Sequence, residues 1–139
     1  MPPSEAMRFR ARARTRWSDE DNQDVLNNAV YLTLLEEARH AYFRELGLLD
    51  GNRFPFLLAQ CNLRFIAAGR GGAEVEIDIA TTRLGSSSFC QAYRVRDAER
   101  GTVWAEAEAV LVCYHPESGR SAPMAPGFRA ALARFEGLE

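Results

Sequence analysis

The chain has 139 residues, 47% of them hydrophobic and 26% charged, with a formal net charge of −2. That is one domain's worth of sequence over residues 1–139, too apolar for disorder and too evenly charged for a nucleic-acid binder. All 17 basic residues are arginine, which excludes chemistry built on a lysine amine, such as Schiff bases or a P-loop lysine.

The opening MPPSEAMRFR holds no apolar signal core, and no stretch approaches the roughly 18 apolar residues of a spanning helix. A cytoplasmic protein with no membrane partner is expected. Residues 8–17 alternate strictly, with Phe9, Ala11, Ala13, Thr15 and Trp17 on one face and Arg8, Arg10, Arg12, Arg14 and Arg16 on the other. Period two predicts a strand with one buried face, and the arginine face is expected to be solvated or salt-bridged. The polar run SDEDNQDVL reads as a loop. A helix then follows, capped by Asn27 or Asn28 and stopped at Gly47, with Tyr31, Leu34, Leu35, Ala38 and Tyr42 at three- and four-residue steps. At about 1.5 Å per residue it is roughly 30 Å long.

The rest is mostly strand: 54–68, 73–84, 89–96 and 102–115, with turns at GRGG, GSSS and DAERG. In the last strand Ala105, Ala107 and Ala109 leave room for a close helix, and Pro126 suits the first turn of a short terminal helix. The order β–α–β–β–β–β–α is that of an α+β fold, one antiparallel sheet with a long helix on one face. Cys61, Cys90 and Cys113 are widely spaced without a CxxC pair, and His40 and His115 belong to no ligand motif. Free thiols are expected, with no metal and no cofactor.

Arg16-Trp17-Ser18-Asp19-Glu20-Asp21, then Val25-Leu26-Asn27-Asn28-Ala29-Val30-Tyr31-Leu32, then Leu35-Glu36-Glu37-Ala38-Arg39, resembles hotdog-fold thioesterases of the 4-hydroxybenzoyl-CoA thioesterase type. Arg83-Leu84-Gly85-Ser86-Ser87-Ser88-Phe89 is similar to a second stretch of that family. The resemblance implies a sheet wrapped around the helix and a homodimer, or a homotetramer, with active sites at the dimer interface. It implies an acyl-CoA substrate, or alternatively a thioester on an acyl-carrier protein docked by the arginine face. Asp21 falls at the family's catalytic carboxylate, and the backbone N–H of Asn28 at its oxyanion donor. Asn27, Tyr31, Glu36, Arg83, Ser87 and Ser88 fall at or near positions that would contact substrate.

The chemistry agrees with those positions. Thioester hydrolysis needs a nucleophile or activated water and donors for the developing oxyanion, which a helix N-terminus supplies. A thiol leaves readily as thiolate, so no acid is required. Tyr31, Phe56, Leu57 and Phe65 are candidate walls, and apolar walls predict a range of acyl chains. Two departures stand out. Asp24 occupies the place of a family glycine, which would permit close backbone approach or positive φ, and the cationic cluster some relatives use for coenzyme A phosphates is absent near Gly85-Ser86-Ser87. A dimer that binds acyl ligands without hydrolysing them is the reading from a different functional class.

Overall fold

The structure is a computed structural model describing residues 7–138, so the first six residues, including most of the stretch without a signal core, lie outside it. Five strands, β1 (Phe9–Arg14), β2 (Phe56–Phe65), β3 (Glu74–Leu84), β4 (Ser88–Asp97) and β5 (Val103–Cys113), form one antiparallel sheet in the order β1-β3-β4-β5-β2. Helix α1 (Asn28–Glu45) lies against the concave face, and α2 (Pro126–Glu136) closes the lower end. Among the described residues no helix is long and apolar enough to cross a membrane.

The element order matches the periodicities. Val75, Ile77 and Ile79 of β3 and Ala105, Ala107 and Ala109 of β5 are buried beneath α1, which turns Leu34, Leu35, Ala38, Tyr42 and Phe43 toward them. Phe43, Phe56, Phe89 and Phe128 form one aromatic cluster that fixes α2 to the core. Pro126 opens α2 with its φ already set for a helix, and Gly137 ends it in the left-handed region.

The convex face carries charge in place of apolar side chains. Arg10 bonds Asp78 at 2.8 Å and Arg12 bonds Glu76 at 2.9 Å, while Arg96 of β4 reaches both acids. Arg94 then pairs with Glu106 of β5 at 3.0 Å, and Glu106 with Arg64 of β2 at 2.8 Å. The rows therefore alternate in sign across the whole sheet. Arginine stems roof the acids so well that Asp78 is only 1% exposed. The arginine face of β1 is salt-bridged, as its composition implied.

Two expectations are corrected. Trp17 does not continue the buried face of β1. The strand ends at Arg14, Trp17–Asp19 form a 3-10 turn, and the indole is 81% exposed. The strand expected over 54–68 is shorter: β2 spans Phe56–Phe65 and is a sheet edge, and Leu57, Leu58, Phe65 and Ile66 are exposed.

Candidate active site

The loop between β1 and α1 is pinned to the segment before β3. Thr15 N–H donates to Ala73 C=O at 2.9 Å and Leu26 N–H to Gly69 C=O at 3.0 Å. Gly71 is obligatory there, because a Cβ would stand 2.6 Å from Trp17 Cα and 2.4 Å from Arg16 O. Within the loop a tight turn is closed by Asp21 N–H on Val25 C=O at 2.8 Å and Asp24 N–H on Asp21 C=O at 3.1 Å. Asp24 has φ +60°, the conformation expected of its glycine-like position. Aspartate accepts that region at lower cost than most residues.

The loop acids have different employments. Asp19 accepts the Arg16 backbone N–H at 2.8 Å and its guanidinium at 3.0 Å, and these bonds, the backbone one first, hold its carboxyl below the usual range. Glu20 accepts Gly71 N–H at 2.9 Å. Asp21 Oδ1 accepts Gln23 N–H at 2.8 Å, which orients the carboxylate, and Oδ2 has no partner among the described residues. The contact is an Asx turn, so one oxygen of Asp21 braces the loop and the other is free of protein partners among the described residues.

Helix α1 begins immediately after this turn. Asn27 N–H donates to Asp19 C=O at 2.9 Å. The Asn27 side chain caps Ala29 N–H at 2.9 Å and its C=O takes Val30 N–H at 3.0 Å. The N–H of Asn28 is left with no acceptor among the described residues. Asn28 borders a groove of about 620 Å³ between α1 and β2, walled by Leu32, Cys61, Leu63 and Phe65.

The chain does not gather all the residues its sequence nominated. Asp21, Asn27 and Asn28 share the upper end of the molecule. Tyr31 is a buried backing residue, its ring edge-on to Phe65 at 5.2 Å and its hydroxyl so close to Gly69 that a Cβ there would stand 2.5 Å away; burial pushes the phenol up. Phe56 is likewise core, whereas Phe65 is a true wall. Glu36 is exposed farther down the same helical stripe, in a second groove with His40 and Phe54. Arg83, Ser87 and Ser88 lie at the opposite end of β3, roughly 30 Å from the Asp21 loop at strand rise. Among the described residues no three His, Cys, Asp or Glu side chains converge to hold a metal ion.

Sequence reasoning missed Arg39, which is buried and donates from Nε to the Tyr93 hydroxyl at 3.0 Å. From there hydrogen bonds run through Gln91, Thr81 and Tyr42 to Glu136 on α2. Burial, partly offset by Arg39, pushes the Tyr93 phenol up to about 12. The available signal was position: residue 39 stands one turn after Leu35 and one turn before Tyr42, on the buried stripe.

Comparison with known proteins defines the class. A family model described as the thioesterase-like superfamily matches residues 15–132. The chain belongs to that superfamily, and is a hotdog-fold thioester hydrolase. A thioesterase from Thermus thermophilus, solved in complex with coenzyme A and Zn, is 30% identical with a TM-score of 0.85, covering 97% of this chain and 99% of its own. A 1,4-dihydroxy-2-naphthoyl-CoA thioesterase from Synechocystis shares the fold at 20% identity and TM-score 0.79, over 90% and 95% of the two chains. So does a thioesterase-superfamily protein from Jannaschia sp. CCS1, at 19% identity and TM-score 0.81, over 94% and 84%. No curated protein matches the chain.

Proposed function

We propose that the chain is an acyl-CoA thioesterase, converting R–CO–S–CoA and water into the free acid and coenzyme A, with Asp21 as the catalytic carboxylate. The observation that carries this reading is the unpartnered Asn28 N–H, on a residue that lines the groove and follows directly on the turn that holds Asp21. A thioester carbonyl seated there accepts that N–H at the positive end of the α1 dipole, which favours the tetrahedral oxyanion. Asp21 delivers the attacking oxygen, either its own or that of a water it deprotonates. Collapse of the intermediate expels the thiolate, which takes up a proton; where Asp21 itself attacks, water then hydrolyses the mixed anhydride to the free acid and restores the carboxylate.

The working unit is a homodimer joined through β2. Its outer edge is unpaired, long and apolar, and antiparallel two-fold pairing turns the second copy's Arg83–Ser88 hairpin toward the end where Asn28 of the first copy lies. That arrangement supplies the hydroxyls and the guanidinium that one chain holds too far away. An acidic carrier protein is not favoured as the thioester source, because β1 commits Arg10, Arg12 and Arg14 to Glu74, Glu76 and Asp78.

The test is thiol release from a panel of acyl-CoA esters. Turnover by the wild type that disappears in Asp21→Ala, with the fold intact, supports the assignment. Tight ester binding without turnover would favour a binding protein.

A further inference from the structure

Arg39 is the one charged residue of α1 that the fold buries, with 4% of its surface exposed. Its guanidinium lies 5.5 Å from the Tyr93 ring centroid and 6.0 Å from that of Phe54, so two aromatic faces fix its plane. Of the five N–H donors of a guanidinium, Nε–H goes to Tyr93, and the terminal nitrogens meet no carboxylate and no other acceptor among the described residues. Those nitrogens are not sealed off, since the fully buried unpartnered nitrogen of the described residues is Arg70 Nε. A buried cation with no counter-charge is costly, and most such groups are paired.

Two grooves run along α1: Phe54 lines one, and the other starts at Asn28. Cys61 lines the second, and the Arg39 charge draws down the Cys61 thiol that burial otherwise pushes up. Along the seam between α1 and β2 a ligand therefore passes Asn28 and an apolar stretch at Leu32 and Leu63 and meets Cys61, with the buried Arg39 cation behind that thiol. The helix rises about 16 Å from residue 28 to residue 39, and long helical side chains lean back toward the N-terminus, which shortens that span to a medium-length acyl chain.

We propose that the Arg39 guanidinium receives a carboxylate at the far end of the acyl group, so that thioesters of dicarboxylic acids are preferred over monocarboxylic ones of equal length. This rests on the thioesterase reading and replaces the unselective apolar site expected from the wall residues alone. Two terminal nitrogens held in one plane match the two oxygens of a carboxylate, and the aromatic faces prevent rotation. The leaving thiolate and the reacting carbonyl are untouched by this contact. Arg39 is a specificity residue, not a catalytic one.

The experiment compares thiol release from adipoyl-CoA and suberoyl-CoA with hexanoyl-CoA and octanoyl-CoA, for the wild type, Arg39→Met and Cys61→Asp. Thermal melting and sedimentation accompany each protein. The wild type should show a kcat/KM ratio of at least about tenfold in favour of the carboxylated esters, the scale of one charge-assisted pair. Arg39→Met should bring that ratio to about one. Cys61→Asp, which keeps Arg39 and supplies an internal carboxylate beside it, should lower the ratio too. A wild-type ratio near one overturns the proposal, as does equal loss on both ester types in Arg39→Met together with dissociation of the dimer, which would assign the free donors to a second copy. If the wild type hydrolyses no ester, calorimetry with free suberate and octanoate decides. Suberate binding that Arg39→Met loses sustains Arg39 while the thioesterase reading fails, and no preference for suberate overturns both.

Discussion

β1 and β2 are the two edges of the same sheet, yet β1 is six residues long and carries Arg10, Arg12 and Arg14, whereas β2 runs ten residues and leaves Leu57, Leu58 and Phe65 exposed. The arginines of β1 are drawn inward over the acids of β3, so that edge is short, charged and already satisfied. β2 is interrupted only by the irregularity between Leu58 and Gln60, and it walls the groove beside Asn28. One edge is closed and leads into the loop that bears Asp21, the proposed catalytic carboxylate. The other is open and, in the proposed dimer, is where a second copy pairs.

The largest expected effect tests the loop at the end of the closed edge. Asp21→Asn keeps the Oδ1 contact to Gln23 and removes the charge, so kcat should fall about 10²- to 10⁴-fold with the melting curve unchanged. Next comes the open edge. Leu58→Lys places a charge where the second copy is to sit, and sedimentation should then show a monomer whose thiol release falls with the loss of the dimer. A variant that remains dimeric, or a wild type that is monomeric at micromolar concentration, would erase the contrast between the two edges.

Acid sharpens the contrast from the charged side. Burial alone would raise the Asp97 carboxyl, but the N–H groups of Arg100 and Glu99 and the Arg70 guanidinium bring it below its ordinary value. Glu106 is held down in the same way by Arg94 and Arg64 against its burial. A depressed folded-state pKa means stability that is complete above the unfolded value of about 4 and lost as pH falls through the folded one. Chemical denaturation as a function of pH should show this acid limb, and Asp97→Asn and Glu106→Gln should each make it shallower. The smallest effect concerns the turn itself. Asp24→Gly relieves a left-handed φ and should stabilise the protein by up to about 1 kcal/mol, with activity held or raised. Activity lost in Asp24→Gly and kept in Asp21→Asn would transfer the catalytic role to Asp24.

Much of this architecture is legible in the amino-acid order because burial imposes periods of 2 and 3.6 on it. β3 can be assigned from Val75, Ile77 and Ile79 alone, and the positive φ at Asp24 from its glycine-like place. Trp17 misleads because alternation in the letters outlasts the strand: Gly72 N–H bonds Thr15 C=O at 3.0 Å, and the chain turns away. The place of β2 in the sheet is not legible, because a continuous apolar run has no period to distinguish a core strand from an edge awaiting a partner. The same ambiguity puts Phe56 and Tyr31 on the groove wall, where the fold makes them core. Arg39 escapes notice because a charge on a helix reads as solvent-facing, and only packing against Tyr93 and Phe54 shows otherwise. The separation of Arg83, Ser87 and Ser88 from Asp21 is a matter of strand direction, which motif spacing does not contain.

The alternating rows of charge on the convex face have a consequence for durability in the presence of the substrate. A thioester is an acylating agent, and the side chains it marks most readily are amines. The cationic rows are made wholly of guanidinium groups, in a chain with no lysine. Guanidinium keeps its proton far above neutral pH and offers no free lone pair for acyl transfer. The protein can therefore work in a high concentration of its own electrophile without converting a single partner in its ion-pair lattice into a neutral amide.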